Sequence, residues 1–165
     1  MLTKCVSARK DQIRGMRAVI QRVTESSVSI DGSVRARIGR GLLLLAAFVA
    51  EDSVEDLDWM TGKISRLRIF NDETGRMNRS LLDTKGEVLV ISQFTLFAST
   101  RKGNRPSFVR SAKPELAIPL YQSFLEKMNE ALPFPVKTGE FGANMTVRLT
   151  NDGPVTLVID TRNRE

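Results

Sequence analysis

The run Leu42-Leu43-Leu44-Leu45-Ala46-Ala47-Phe48-Val49 is apolar without interruption and of strand length, with Gly39 and Gly41 just ahead of it. A segment of that kind is buried inside a sheet, because no alternation leaves one of its faces for water. Immediately after it, Asp52 and Ser53 offer a helix start, with Ser53 and Asp56 at capping-box-like spacing. Val54, Leu57, Met60, Ile64 and Leu67 then recur at intervals of three and four, while Glu55, Asp58 and Lys63 fall on the other side. The spacing predicts an amphipathic helix that packs back on the sheet.

Upstream, Arg17 to Val23 reads as a strand, and Ser27 to Ile30 with Val34 to Ile38 reads as a hairpin, since Asp31-Gly32 accepts the positive φ angles of a type I′ turn. Downstream, Asn71 to Gly75 is a turn, Glu87 to Ala98 a long strand and Ser99 to Lys113 a polar, basic loop. A second helix is predicted from about Pro114 to just before Pro133, with Leu116, Leu120, Phe124, Leu125 and Met128 inward. Met145 to Thr150 and Val155 to Thr161 are β-branched stretches around Asn151-Asp152-Gly153-Pro154, and predict a closing hairpin. The pattern is α/β, with early β structure, two strand-to-helix units and terminal β structure. No repeat or linker interrupts it, so residues 16–165 form one expected domain, and residues 1–15 an expected disordered extension rather than a targeting peptide.

The 165 residues suffice for a core without disulfides or structural metal. Cys5 is a lone cysteine, which fits a reducing, cytoplasmic compartment. No apolar run reaches the ~20 residues that cross a bilayer, so no membrane partner is expected. The formal charge is +6, and about half of the excess comes from Lys4, Arg9, Lys10 and Arg14 against Asp11 in the first fifteen residues. The body alone is therefore a weak electrostatic case for nucleic acid. The chain has no histidine, which removes a Ser-His-Asp triad and every His-bearing metal site. Chemistry must come from hydroxyls, amides, carboxylates, backbone dipoles or the substrate itself.

Three segments stand out. In Ser92-Gln93-Phe94-Thr95-Leu96-Phe97-Ala98 polar side chains interrupt an apolar run, and they either bond neighbouring backbone or line a cavity. Asn151-Asp152-Gly153-Pro154 is either an ordinary turn or a place where bare backbone meets a ligand. Between Thr100 and Lys113, the residues Arg101, Lys102, Arg105, Arg110 and Lys113 surround Phe108, giving either a solvated basic loop or a phosphate-contacting surface. Gly39-Arg40-Gly41 is too short for a nucleotide fingerprint, and Thr138 to Gly142 lacks the ending of a Walker loop. The carboxylates Glu51, Asp52, Asp56 and Asp58 suit a helix start that faces water, so no metal site and no cofactor are expected.

Arg17 to Thr24, the SQFTLFA segment, KGNRPSF at Lys102 to Phe108, TGEFGANM at Thr138 to Met145 and NDGPVT at Asn151 to Thr156 together resemble the bacterial-type D-aminoacyl-tRNA deacylases, in that family's order. The resemblance implies a three-layer β/β/α fold, a homodimer with active sites at the subunit interface, and tRNA as partner. It assigns Ser92, Gln93, Phe94 and Thr95 to the catalytic pocket. It makes Gly153 and Pro154 a Gly-cisPro element that enters the other subunit's pocket, with Arg22 fixing its orientation and Phe141 and Met145 also on the substrate. Hydrolysis of a D-aminoacyl ester with rejection of L substrates follows, glycyl-tRNA(Ala) being accepted too. For the attack, Thr95 is one candidate; a water helped by the terminal 2′-hydroxyl of the tRNA is preferred, since an unassisted threonine is a poor nucleophile. Asn144 stands where many bacterial members carry Asp, and the first fifteen residues have no counterpart in short members. A non-catalytic RNA-binding module, an L-specific editing domain and a plain dimerising protein are the competing readings.

Overall fold

The computed structural model describes residues 15–164; the expected extension over residues 1–15 lies, apart from Gly15, outside them. Strand β1 (Arg17–Ile30) turns into β2 (Ser33–Ile38) through Asp31 and Gly32, whose φ angles of 50° and 78° are those the Asp-Gly pair was expected to supply. The two β1 segments predicted separately are one strand of 14 residues. Strand β3 (Gly41–Ala47) follows, then α1 (Val54–Arg66), a small hairpin of β4 (Phe70–Asn71) and β5 (Met77–Arg79), and the single turn α2 (Leu81–Thr84). Strand β6 (Glu87–Ser92), helix α3 (Pro114–Ala131), the short β7 (Lys137–Thr138) and β8 (Met145–Asp160) complete the chain.

The main sheet runs β2-β1-β3-β6-β7, with β8 on the other edge of β1. β1 pairs antiparallel with β3, whereas β3 with β6 and β6 with β7 are parallel. Parallel neighbours need crossovers, which the segments containing α1 and α3 provide. The sheet curls nearly into a barrel, so its strands bury two faces.

Alternate residues of β3 serve two cores: Leu42, Leu44 and Ala46 pack with Met60, Ile64, Phe124 and Met128 of the helices, and Leu43 packs with Val23, Val28, Ile38, Leu89 and Ile91 inside the curl. The continuous apolar run is explained by this double burial, each fully buried Leu or Phe being worth about 1.5–3 kcal/mol. Two β walls and a helical layer give the expected three-layer α/β arrangement.

Four local expectations need correction. The apolar side of α1 excludes Val54, which sits in the first turn and is 56% exposed. In α3 the buried stripe is Ala117, Tyr121, Phe124 and Met128, while Leu116 is 49% exposed; the small Ala117 and the Tyr121 hydroxyl, bonded to the Val90 carbonyl at 3.1 Å, set the helix's rotation. The segment Phe94–Phe97 is a 3-10 turn, not the end of a strand. The carboxylates at the start of α1 do not all face water: Asp56 is buried against Arg162 at 3.0 Å, and Asp52 accepts the Met16 and Val49 N–H groups, both at 2.8 Å.

The largest correction concerns the closing hairpin. Met145–Asp160 is a single strand of 16 residues running in one direction along β1. Thr156 pairs with Gln21 and Asn151 with Val23, so the residues between them are expelled as a bulge. Turn-forming residues produced no reversal here, because both flanks found the same partner strand.

Candidate active site

Parallel strands β3 and β6 end side by side, and the chain must leave the sheet there. Gln93, at φ −142° and ψ 73°, breaks from the strand direction while its N–H donates to the Ala46 carbonyl at 2.7 Å. The 3-10 turn then closes through Leu96 N–H to Gln93 O (3.2 Å) and Ala98 N–H to Thr95 O (3.0 Å). From β1, Arg17 holds the far end, donating to Leu96 O at 2.9 Å with its guanidinium 4.8 Å from the Phe97 ring centre. At the start of a 3-10 turn the first N–H groups have no partner within the turn. Among the described residues, those of Phe94 and Thr95 meet no acceptor.

Over this turn opens a cleft of about 570 Å³. Ala46, Ala47, Ala112 and Ala117 are among its lining, which is how the space arises: each position holds the smallest side chain a packed wall can have. Ser92, Gln93, Phe94, Phe141 and Met145 line it, as does Asn144. Thr95 stands beside the cleft without lining it, its hydroxyl accepting a hydrogen bond from Gln93 Nε2. Phe94 is 56% exposed at the mouth and meets Phe108 edge to face at 5.1 Å. Tyr121 backs Phe141 at 5.8 Å, and burial pushes its phenol up to about 12, so it remains a neutral donor.

The basic loop is docked by Ala112 N–H to Phe48 O (2.9 Å) and by a two-bond bridge between Ser99 and Ser107. It contributes Phe108, Ser111 and Lys113 to the cleft wall; Arg101, Lys102, Arg105 and Arg110 are exposed and form no salt bridge with a described residue. Sequence reasoning missed Ala46, Ala47, Phe48, Ser111, Ala112 and Pro114 as lining residues. Their signal was topological: parallel strands gather sites at their carboxyl ends, and β3 ends there beside β6.

Gly153, Pro154 and Arg22 do not line this cleft. They form a second construction, the β8 bulge. Asn151 clamps its base, its Oδ1 accepting from Val155 N–H at 2.8 Å and its Nδ2 donating to Val155 O at 3.2 Å. Arg22 is only 5% exposed and braces it from below: Nε donates to Asp152 O at 3.0 Å, and Nη1 donates to Ile69 O at 2.6 Å and to Asn71 Oδ1 at 3.1 Å. The Asp152 carboxylate lies 3.3 Å from the same Nε and offsets the buried charge. At the tip, the Gly153-Pro154 peptide is cis, and both residues are exposed. Gly153 has φ 138°, and a Cβ there would stand 2.8 Å from Val155 Cγ2 and 3.2 Å from Arg22 Nη2. Glycine is required on both counts.

Residues 19–160 match the family model of D-Tyr-tRNA(Tyr) deacylase. The chain belongs to this family. A D-aminoacyl-tRNA deacylase of Bacteroides fragilis (strain YCH46) is 57% identical over 150 residues, 91% of this chain and all of that one. One of Opitutus terrae is 58% identical over the same shares. Among solved structures, the c-Myc DNA unwinding element binding protein superposes with a TM-score of 0.82 at 42% identity, over 87% of this chain and 97% of that one. The structure of a probable eukaryotic D-amino acid tRNA deacylase shares the fold at 20% identity and a TM-score of 0.76, over 88% and 98%. No described helix of this family member is long and apolar enough to cross a membrane.

Proposed function

We propose that the protein hydrolyses the ester of D-aminoacyl-tRNA in the cytoplasm, as a homodimer whose sites each combine one subunit's cleft with the other's Gly153-Pro154 bulge. The carrying observation is the division of the site: a small-residue cleft with unengaged N–H groups on one face, and a braced, exposed backbone tip outside it. Separately they are a pocket without a selector and a selector without a pocket. Membership of the family supports the pairing and supplies tRNA as the substrate carrier.

Placed beside the substrate's Cα, main-chain atoms of Gly153-Pro154 leave room for hydrogen or a D side chain and collide with an L side chain. Selection is by exclusion, so the pocket need not grip any side chain. Glycine esters pass the same filter, which makes glycyl-tRNA(Ala) a second substrate. Phe94 and Phe108 offer ring surface to the terminal base at the mouth.

For the chemistry, the N–H groups of Phe94 and Thr95 would receive the oxyanion of the tetrahedral intermediate, a reading supported by their lack of an acceptor among the described residues, whereas the Gln93 N–H is spent on Ala46 O. Among the described residues no base is hydrogen-bonded to the Thr95 hydroxyl, and Gln93 already occupies one of its lone pairs. Attack by water with help from the substrate's 2′-hydroxyl is therefore favoured over a threonyl intermediate.

The test is deacylation of matched D-tyrosyl- and L-tyrosyl-tRNA by chelator-treated protein. Cleavage of the D ester alone is expected. Equal cleavage of both removes the filter, and tight tRNA binding with cleavage of neither makes the protein an RNA-binding module. A 2′-deoxy-terminated substrate that turned over normally, with Thr95→Ala inactive, would return the attack to Thr95.

A further inference from the structure

A second concavity, of about 460 Å³, lies on the outer side of α1 between Trp59, Lys63, Arg66 and Arg68. Its electrostatics are one-sided. Asp58, the carboxylate on its rim, is engaged by Lys127 of α3. Lys63 and Arg66 are exposed at successive turns of the helix and form no salt bridge with a described residue. Arg68 is exposed too, and is steadied by Nε donating to Asn78 O at 2.9 Å. Lys63 stands 5.3 Å from the Trp59 ring centre, and Arg164 covers that ring at 4.3 Å. Cations with no carboxylate of the described residues within salt-bridge distance, Arg68 sharing only a longer-range attraction with Asp83, surround a concave surface that suits a polyanion.

The position of this patch gives it a role. Arg68 is followed by Ile69, whose carbonyl is held by Arg22, and Arg22 in turn holds Asp152 in the bulge. The basic groove and the Gly153-Pro154 tip are thus coupled through one buried guanidinium. A surface next to the tip must lie near whatever cleft the tip enters.

We infer that the Trp59–Arg68 face is a phosphate-contacting surface for tRNA that acts in trans: it flanks the partner subunit's cleft and holds the acceptor end whose ester is cleaved there. This rests on the cross-subunit placement proposed above. Phosphate contacts of this kind position the RNA and read no sequence.

The test compares two substrates, full D-tyrosyl-tRNA and D-tyrosyl-adenosine, with K63A/R66A/R68A and, as a variant that leaves the Arg68–Asn78 bond intact, K63E/R66E. For the full tRNA, KM should rise about tenfold with kcat within about twofold, and the slope of log(kcat/KM) against log[salt] should flatten by about 2, as expected for the loss of three phosphate contacts. Hydrolysis of the adenosine ester should not change. An unchanged KM for tRNA overturns the inference, and so does an equal loss on both substrates by a variant of native melting temperature. Mixed dimers in which one subunit carries Gln93→Ala as a pocket lesion settle the trans assignment. The groove substitutions should raise KM when they sit on the lesioned subunit, not on the pocket-active one; the reverse pattern overturns the assignment. Inactivity of the wild-type protein on both D esters would instead sink the deacylase reading itself.

Discussion

The cleft and the bulge are built on opposite plans. The cleft is made by subtraction: Ala46, Ala47, Ala112 and Ala117 withdraw side chains from a wall where larger ones would fill the space. The bulge is made by addition, with residues beyond the register of β1 pushed outward and then fixed by Asn151 and Arg22. A subtracted site tolerates varied occupants because little in it is shaped to one side chain. An added one is defined by the position of its backbone. A filter that must accept many D side chains and refuse every L one needs both properties, each in the part built to supply it.

That contrast can be broken most sharply at Gly153. Gly153→Ala puts a Cβ into Val155 and Arg22 at a φ of 138°, so the tip must move. Displacing a positioning element by about 1 Å costs on the order of 10²-fold in rate, and kcat/KM for D-tyrosyl-tRNA should fall by about that factor. The cleft should still bind a D-tyrosyl-adenosine analogue. A variant with unchanged kcat/KM would mean that the bulge is no part of the site.

On the cleft side, Phe94→Ala should act on binding and not on rate. Loss of one stacking surface is worth about 1–3 kcal/mol, so KM should rise about tenfold while kcat stays within about twofold. The exposed ring contributes little to the fold, and the melting temperature should hold. A fall in kcat with KM unchanged would instead place Phe94 at the reacting centre.

The smallest effect is expected at a place that belongs to neither part. Burial alone would raise the Asp56 carboxyl, but hydrogen bonds from Arg162 and from the Ser53 N–H and hydroxyl bring it down to about 2. Its folded value lies below its unfolded value. The stability it contributes is therefore complete above the ordinary value of 3.8 and is lost as pH falls toward 2. Asp56→Asn should lower the melting temperature modestly at pH 5 and above, and flatten its decline below pH ~4, with D-ester hydrolysis at neutral pH unchanged. A decline as steep as that of the parent would assign the acid sensitivity to other carboxylates. Asp52 has the opposite sign: burial raises it to about 6, so its contribution is complete below 3.8 and fades as pH rises through 6.

What the sequence disclosed divides along the same line. The Asp31-Gly32 turn, the Ser53 start of α1 and the buried run at β3 depend on neighbours in the chain, and each was legible. The bulge was not, because Asn151 to Pro154 carries the chemistry of a reversing turn. Only the pairing of both flanks with β1, more than a hundred residues away, turns that chemistry into a projection. The 3-10 turn at Phe94 was hidden for a related reason: an apolar run does not show where parallel pairing stops. Of the site residues, Ser92, Gln93, Phe94, Phe141 and Met145 come together in the cleft. Arg22 showed no local sign of its work, since a lone arginine in a strand reads as an outward charge until the three acceptors around it are known.

The bulge also bears on how the protein behaves in a crowded solution. β8 pairs with β1 alone, so its other edge carries main-chain donors and acceptors that no described strand covers. An open edge of 16 residues would invite sheet growth from one molecule to the next. Expelling Asp152 to Pro154 divides that edge into two short lengths, removes one donor at the proline and sets an acidic residue between them. The same projection that is proposed to choose the substrate's hand therefore protects the chain from templating its own aggregation.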